Sequence, residues 1–178
     1  MKVFLKLFSL FALLFSCENT QQNINQFVKR DELPVEVLTD SEIQYTENGL
    51  LKVLVTSKNM QRFIEEEDRI ELSGGVHVDF YKLNQNNEKS KLFSENAIIN
   101  NSKNLMIAIN NVELKSSDNK ILKTEELVWD KNQNLIYTDK NVQIQTDDEI
   151  ISGKGFKSTP DFKEYEISQV TGTFYIDK

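Results

Sequence analysis

The chain has 178 residues, 21 of them basic and 28 acidic, for a formal charge of −7. Its single cysteine, Cys17, and single histidine, His77, exclude a Cys/His zinc site, an internal disulfide and a Cys–His catalytic pair. The acidic balance argues against nucleic acid as a partner, and the length suits one domain with a short leader.

Met1–Cys17 reads MKVFLKLFSLFALLFSC, with Lys2 and Lys6 as its only charges. The apolar run is too short to span a bilayer comfortably, which takes roughly 20 residues. A basic start followed by a short apolar run is a secretory signal. Leu14-Phe15-Ser16-Cys17 resembles a bacterial lipobox, with Leu at −3 and a small residue at −1. Phe15 stands where a small residue is usual. The resemblance implies cleavage before Cys17 and a diacylglycerol thioether on its sulfur. Two or three acyl chains would hold the chain firmly on a membrane, where one chain is marginal. The bland alternative is a plain signal peptide with an incidental cysteine. Cleavage would remove Lys2 and Lys6 and leave a side-chain charge of about −9, a surface not drawn to anionic headgroups. The expected organisation is therefore residues 1–16 as signal peptide, 17–34 as lipid-anchored polar tether, and 35–178 as one domain.

From Val35 onward the apolar pattern has period two. Leu50–Thr56 reads LLKVLVT, and Val76–Tyr81, Val112–Leu114 and Val142–Gln145 alternate. Short alternating runs between Asn, Asp, Ser and Gly clusters are the signature of antiparallel strands. Asn59–Arg69 is open between a helix, from the spacing of Met60, Phe63 and Ile64, and a strand with a turn. Glu95–Ile121 laid over Glu125–Ile151 without gaps matches Asn104-Leu105 to Asn134-Leu135 and Asn111-Val112 to Asn141-Val142. A period of this size predicts stacked supersecondary units sharing one buried face, each expected to hold three or four short strands. A set of hairpins with similar turns is the rival.

An ordered set of residues carries a further resemblance. Leu122–Asp130 (LKTEELVWD), Asn134–Asp139 (NLIYTD), Gly153–Phe156, Asp161-Phe162, Tyr165 and Val170-Thr171-Gly172 resemble the C-terminal half of the LptC family, in its lipoprotein form as in Bacteroidota. This family is the membrane-anchored periplasmic component of the lipopolysaccharide exporter. The resemblance implies a twisted antiparallel β-jellyroll, open along one side, with an apolar groove. It implies lipopolysaccharide received from an inner-membrane ABC transporter complex and passed to a periplasmic bridge protein of the same fold by strand addition at the C-terminal edge. A lipid anchor at Cys17 replaces the transmembrane helix of better-known members. The expected location is the periplasm, on the inner membrane.

Within that fold, alternation assigns Val76, Val78, Phe80, Leu105, Ile107, Val112, Leu114, Leu127, Trp129, Leu135, Tyr137, Val142 and Ile144 to the groove. Gln169–Ile176 is the expected docking edge, through Val170, Gly172, Phe174 and Ile176. His77, between Val76 and Val78, is expected to face solvent. No enzyme chemistry, cofactor or metal is expected. Neighbouring Glu125 and Glu126 point to opposite faces of a strand, Gly153-Lys154 lacks the rest of a P-loop, and Asp147-Asp148-Glu149 and Glu65–Asp68 read as charged turns. Two rival readings are a membrane-anchored β-solenoid scaffold with a closed dry core, and a glycan-binding surface lipoprotein using Tyr81, Tyr165 and Tyr175.

Overall fold

The alternating runs form nine strands. The computed structural model describes residues 33–82 and 88–175, all but the first within the compact unit Pro34–Lys178. The strands are β1 (Glu36–Glu47), β2 (Leu50–Phe63), β3 (Arg69–Tyr81), β4 (Lys89–Asn100), β5 (Leu105–Lys115), β6 (Ile121–Asp130), β7 (Leu135–Gln145), β8 (Glu149–Ser158) and β9 (Tyr165–Tyr175). They pair antiparallel in sequence order as one open sheet, with β1 and β9 at its edges. The chain is thus all-β, with no helix among the described residues. Cys17 and Ile176 lie outside the described residues.

The strands are longer than expected: β2 runs for 14 residues, and the segment left open, Asn59–Arg69, is the end of β2, a turn over residues 64–68 and the first residue of β3. Met60 is buried opposite Leu72, and Phe63 is buried under the Arg69 guanidinium, 4.3 Å from the ring centroid. The expected unit of three or four short strands is corrected by the same fact. The 30-residue offset superposes β4–β5 on β6–β7, so the repeat is one long hairpin. Asn104 and Asn134 occupy equivalent turn positions, both with positive φ (56° and 51°), a conformation Asn tolerates better than most residues. Asn48-Gly49, at φ 51° and 76°, closes the β1–β2 hairpin in two residues.

A line of bulges crosses the sheet from β2 to β9. The pairings shift near Ser57, Ser73, Phe93, Ile109, Thr124, Thr138 and Ser152, each with one extra residue on one strand. A bulge bends its strand and increases the local twist. Seven aligned bulges fold the sheet, and its two halves face each other across one apolar interior. Contacts between strands that are not neighbours show this: Phe80 of β3 meets Trp129 of β6 edge to face at 5.2 Å. The bulges also free backbone carbonyls, and buried hydroxyls take them up. Ser57 Oγ donates to Asn59 O at 3.1 Å, Ser94 Oγ to Asn96 O at 2.9 Å, and Thr124 Oγ1 to Asn141 O at 2.9 Å. At β1 the line ends in a Ser41–Ser57 hydroxyl pair at 2.8 Å.

Candidate functional site

The interior is built from both halves of the sheet. Val76, Val78, Phe80, Val112, Leu114, Leu127, Trp129, Val142 and Ile144 are all buried in one continuous cluster. Leu105, Ile107, Leu135 and Tyr137 are not part of it. They stand on the outer face, where Ile107 pairs with Ile98 and Val128, and Tyr137 is exposed. The inward residues on these strands are Met106, Ala108, Ile136 and Thr138. The reason is the bulge. On β5 Ala108 and Val112 are four positions apart, so inward positions keep their even parity through Asn110 and Asn111. The parity flips instead on β6, between Thr124 and Leu127.

The interior is closely filled. Val76, Leu114, Leu122, Ile136, Ile144 and Phe162 have no exposed surface. Phe162 sits in the β8–β9 loop with φ 50° and packs on Phe156 and Tyr165, both at 5.5 Å. Tyr165 is therefore committed to internal packing and does not join Tyr81 and the exposed Tyr175 in an outer aromatic platform. His77 is exposed and rests on the edge of Phe93.

The ends and the seam are less closed than the middle. Ser41 is the only buried residue of β1, and β9 has none. On β9, Val170 and Phe174 are exposed, and Gly172 is partly covered. Opposite the bulge line, the strand ends of the two halves meet with no backbone–backbone hydrogen bond among the described residues. Ser90 Oγ donates to Pro160 O, Lys120 Nζ donates to Lys163 O at 2.8 Å, and Tyr45 meets Trp129 edge to face at 5.9 Å. Between these contacts the seam opens into a cavity of about 660 Å³, whose wall includes Tyr45, Phe80, Trp129, Lys131 and Asp161. Beneath it lies an apolar space of about 90 Å³ lined by Ile43, Val55, Ile70, Ile99, Met106 and Trp129.

Sequence reading missed two members of this corner, Tyr45 and Lys131. The Lys131 ammonium lies 4.8 Å from the Tyr45 ring centroid and 5.8 Å from that of Trp129. Burial pushes the Lys131 ammonium below its ordinary range. The other lysines of the cavity wall are paired: Lys52 with Glu47 at 3.0 Å, Lys82 with Glu88 at 3.2 Å, and Lys89 with Asp79 at 2.5 Å. The Asp79 contact raises Lys89 above the usual lysine range. The acidic turn at Asp147–Glu149 is held by Thr146 Oγ1, which accepts from the amides of Asp148 and Glu149 at 3.3 and 3.2 Å.

A family model described as lipopolysaccharide-assembly, LptC-related, matches residues 3–175. The chain belongs to this LptC family. No curated protein matches it. LptC membership gives the chain a role in lipopolysaccharide transport, as a periplasmic component of the envelope transport system rather than a member of an enzyme family. The open antiparallel sheet agrees with the LptC jellyroll.

Proposed function

We propose that this LptC-family chain relays lipopolysaccharide without catalysis, taking acyl chains into the interior between the two halves of the sheet. The lipid would arrive from an inner-membrane ABC transporter complex and leave for a periplasmic bridge protein of the same fold. The bridge would add a strand at the free edge of β9, where unpaired N–H and C=O groups await a partner chain. The chain would be held at the inner membrane by lipid on Cys17, with residues 17–34 as tether.

The observation that carries this reading is the seam. The sheet halves are joined by the continuous strands that cross the bulge line, while their tips meet through the side chains of Tyr45, Trp129, Ser90 and Lys120. They part there without breaking a ladder hydrogen bond. Parting is needed, because the closed interior leaves only about 90 Å³ beneath the mouth. The driving force is the removal of acyl surface from water, about 0.8 kcal/mol per methylene. The interior side chains that close the resting state would keep the groove dry between loads.

A photocrosslinking amino acid placed in cells at Phe80 and Trp129 tests this, with Tyr137 and Glu113 as outward controls. Aromatic positions accept the bulky probe with least disturbance. Lipopolysaccharide adducts are expected at Phe80 and Trp129 and not at the controls. A folded, functional protein with no adduct at Phe80 or Trp129 would leave the closed-scaffold reading standing instead.

A further inference from the structure

The corner where β1 meets the β6–β7 turn holds two donors that the apolar interior does not need. Trp129 is 7% exposed, and its Nε1 is buried with no hydrogen-bond partner. A buried donor left unpaired costs about 1–3 kcal/mol. Lys131 is half-buried and makes no ion pair among the described residues; two aromatic rings are what hold its ammonium. The other lysines on the cavity wall, Lys52, Lys82 and Lys89, are all engaged with carboxylates. Asp161, on the same wall, is bonded to the Thr159 hydroxyl at 2.5 Å.

The turn that carries Lys131 is pinned. The Lys131 amide donates to Asn104 O at 3.0 Å, and Asp130 Oδ1 accepts from the amides of Asn132 and Gln133 at 2.9 and 3.0 Å. The ammonium is therefore held over the mouth by its backbone as well as by Tyr45. It sits where the solvent-open cavity of about 660 Å³ meets the apolar space of about 90 Å³. A ligand that satisfies both donors has an acceptor oxygen, a negative charge and an apolar tail within one short stretch.

We propose that Trp129 and Lys131 form a subsite for the neck of an anionic amphiphile. Trp129 Nε1–H donates to an acyl ester or amide carbonyl, and the Lys131 ammonium pairs with the phosphate beside it. The subsite rests on the relay reading above and adds to it a point where the headgroup is recognised. It gives the interior an orientation: acyl chains run inward past Met106 and Ile99, and the phosphate stays at the seam. The Tyr45 ring, already against the ammonium, screens the pair from water and strengthens it.

Trp129 is the only tryptophan of the chain, so its emission reads the subsite directly. The full-length purified protein would be titrated with lipopolysaccharide, with the same lipid after phosphatase treatment, with sodium phosphate, and with dodecyl maltoside. The phosphorylated lipid is expected to shift Trp129 emission and to bind about tenfold more tightly than the dephosphorylated lipid, the contribution of one partly buried ion pair. Lys131→Gln is expected to remove that preference while leaving affinity for the dephosphorylated lipid within about twofold, and Lys131→Arg to restore most of it. Trp129→Phe, followed by thermal shift, keeps the ring and is expected to weaken both lipids alike. An unchanged preference in Lys131→Gln overturns the subsite but leaves the relay standing. An emission shift from sodium phosphate alone assigns the corner to a free anion and also overturns it. Binding of neither lipid by the folded protein overturns the relay reading and the subsite with it.

Discussion

A hydroxyl in the middle of an apolar sheet is costly unless a carbonyl is waiting for it. Thr124 of β6 is buried on the bulge line, opposite the extra residue of β7, and its Oγ1 donates to Asn141 O on β7 at 2.9 Å. Ser57 and Ser94 do the same for the carbonyls of Asn59 and Asn96 two residues on. These side chains are small enough to sit under the fold of the sheet and polar enough to replace the ladder bonds that a bulge removes. Thr124→Val keeps the shape and deletes only the donor. It is expected to destabilise the protein by about 1–3 kcal/mol, the cost of a buried acceptor left without its partner. Thr124→Ser, which restores the donor at the loss of one methyl, is expected to recover most of this. Urea denaturation of the three proteins checks it. Equal stabilities for the valine variant and the parent would mean that the bulge does not depend on its hydroxyl.

The elements are tied at their turns by charge. Asp68, in the turn between β2 and β3, accepts from Arg62 Nε at 3.0 Å and Nη2 at 3.1 Å, and from Asn101 Nδ2 at 3.2 Å. It thereby holds the end of β2 to the β4–β5 turn. The Arg62 hydrogen bonds are the main cause that holds the Asp68 carboxyl below its usual range. A depressed carboxyl adds stability above its unfolded pKa, near 3.9, and loses it as pH falls through the lower folded value. Asp68→Asn is therefore expected to lower Tm modestly at pH 7, since both partners are partly exposed, and to match the parent once acid has protonated the Asp68 carboxyl. Thermal melts across that range test the sign. A difference that persists undiminished at the acid end would show that the asparagine disturbs the turn itself. The strands were legible where alternation is uninterrupted: Val76, Val78 and Phe80 all face inward, as do Leu127 and Trp129. The assignment failed for Leu105, Ile107, Leu135 and Tyr137 because it passed through a bulge. Period two says which residues share a face and not how many a bulge inserts; the assignment changed parity at Asn110-Asn111 and at Lys140-Asn141, where the strands keep it. Met60 and Phe63 mimicked helical spacing because both are buried near the end of one long strand, Met60 in the core and Phe63 under Arg69. Tyr45 and Lys131 were illegible for a different reason. Their partnership exists only once the sheet folds on itself and brings the β1–β2 hairpin against the β6–β7 turn.

At the scale of the whole chain, the question is what brings this acidic protein to a membrane. Without Lys2 and Lys6 the side-chain charge is about −9. Its lysines are largely spent on internal pairs, among them Lys58 with Asp40 at 2.8 Å and Lys103 with Glu67 at 2.8 Å. Such a surface is not drawn to anionic headgroups, and on our proposal attachment comes from covalent lipid on Cys17. Electrostatic and acyl attachment differ in their response to salt. At about 1 M salt the Debye length falls to about 3 Å and surface attraction is screened, whereas acyl burial is not weakened. The chain made from its own first residues is expected to fractionate with membranes and to remain there through a wash at about 1 M salt. The same chain given a plain cleavable secretory signal in place of residues 1–17 is expected in the soluble periplasmic extract with an unchanged Tm. It is expected to restore lipopolysaccharide export poorly, because a relay station that drifts from the transporter loses the effective concentration that its tether supplies. Release of the natural chain by salt, or retention of the lipid-free chain on membranes, would move the membrane contact from Cys17 to the folded domain.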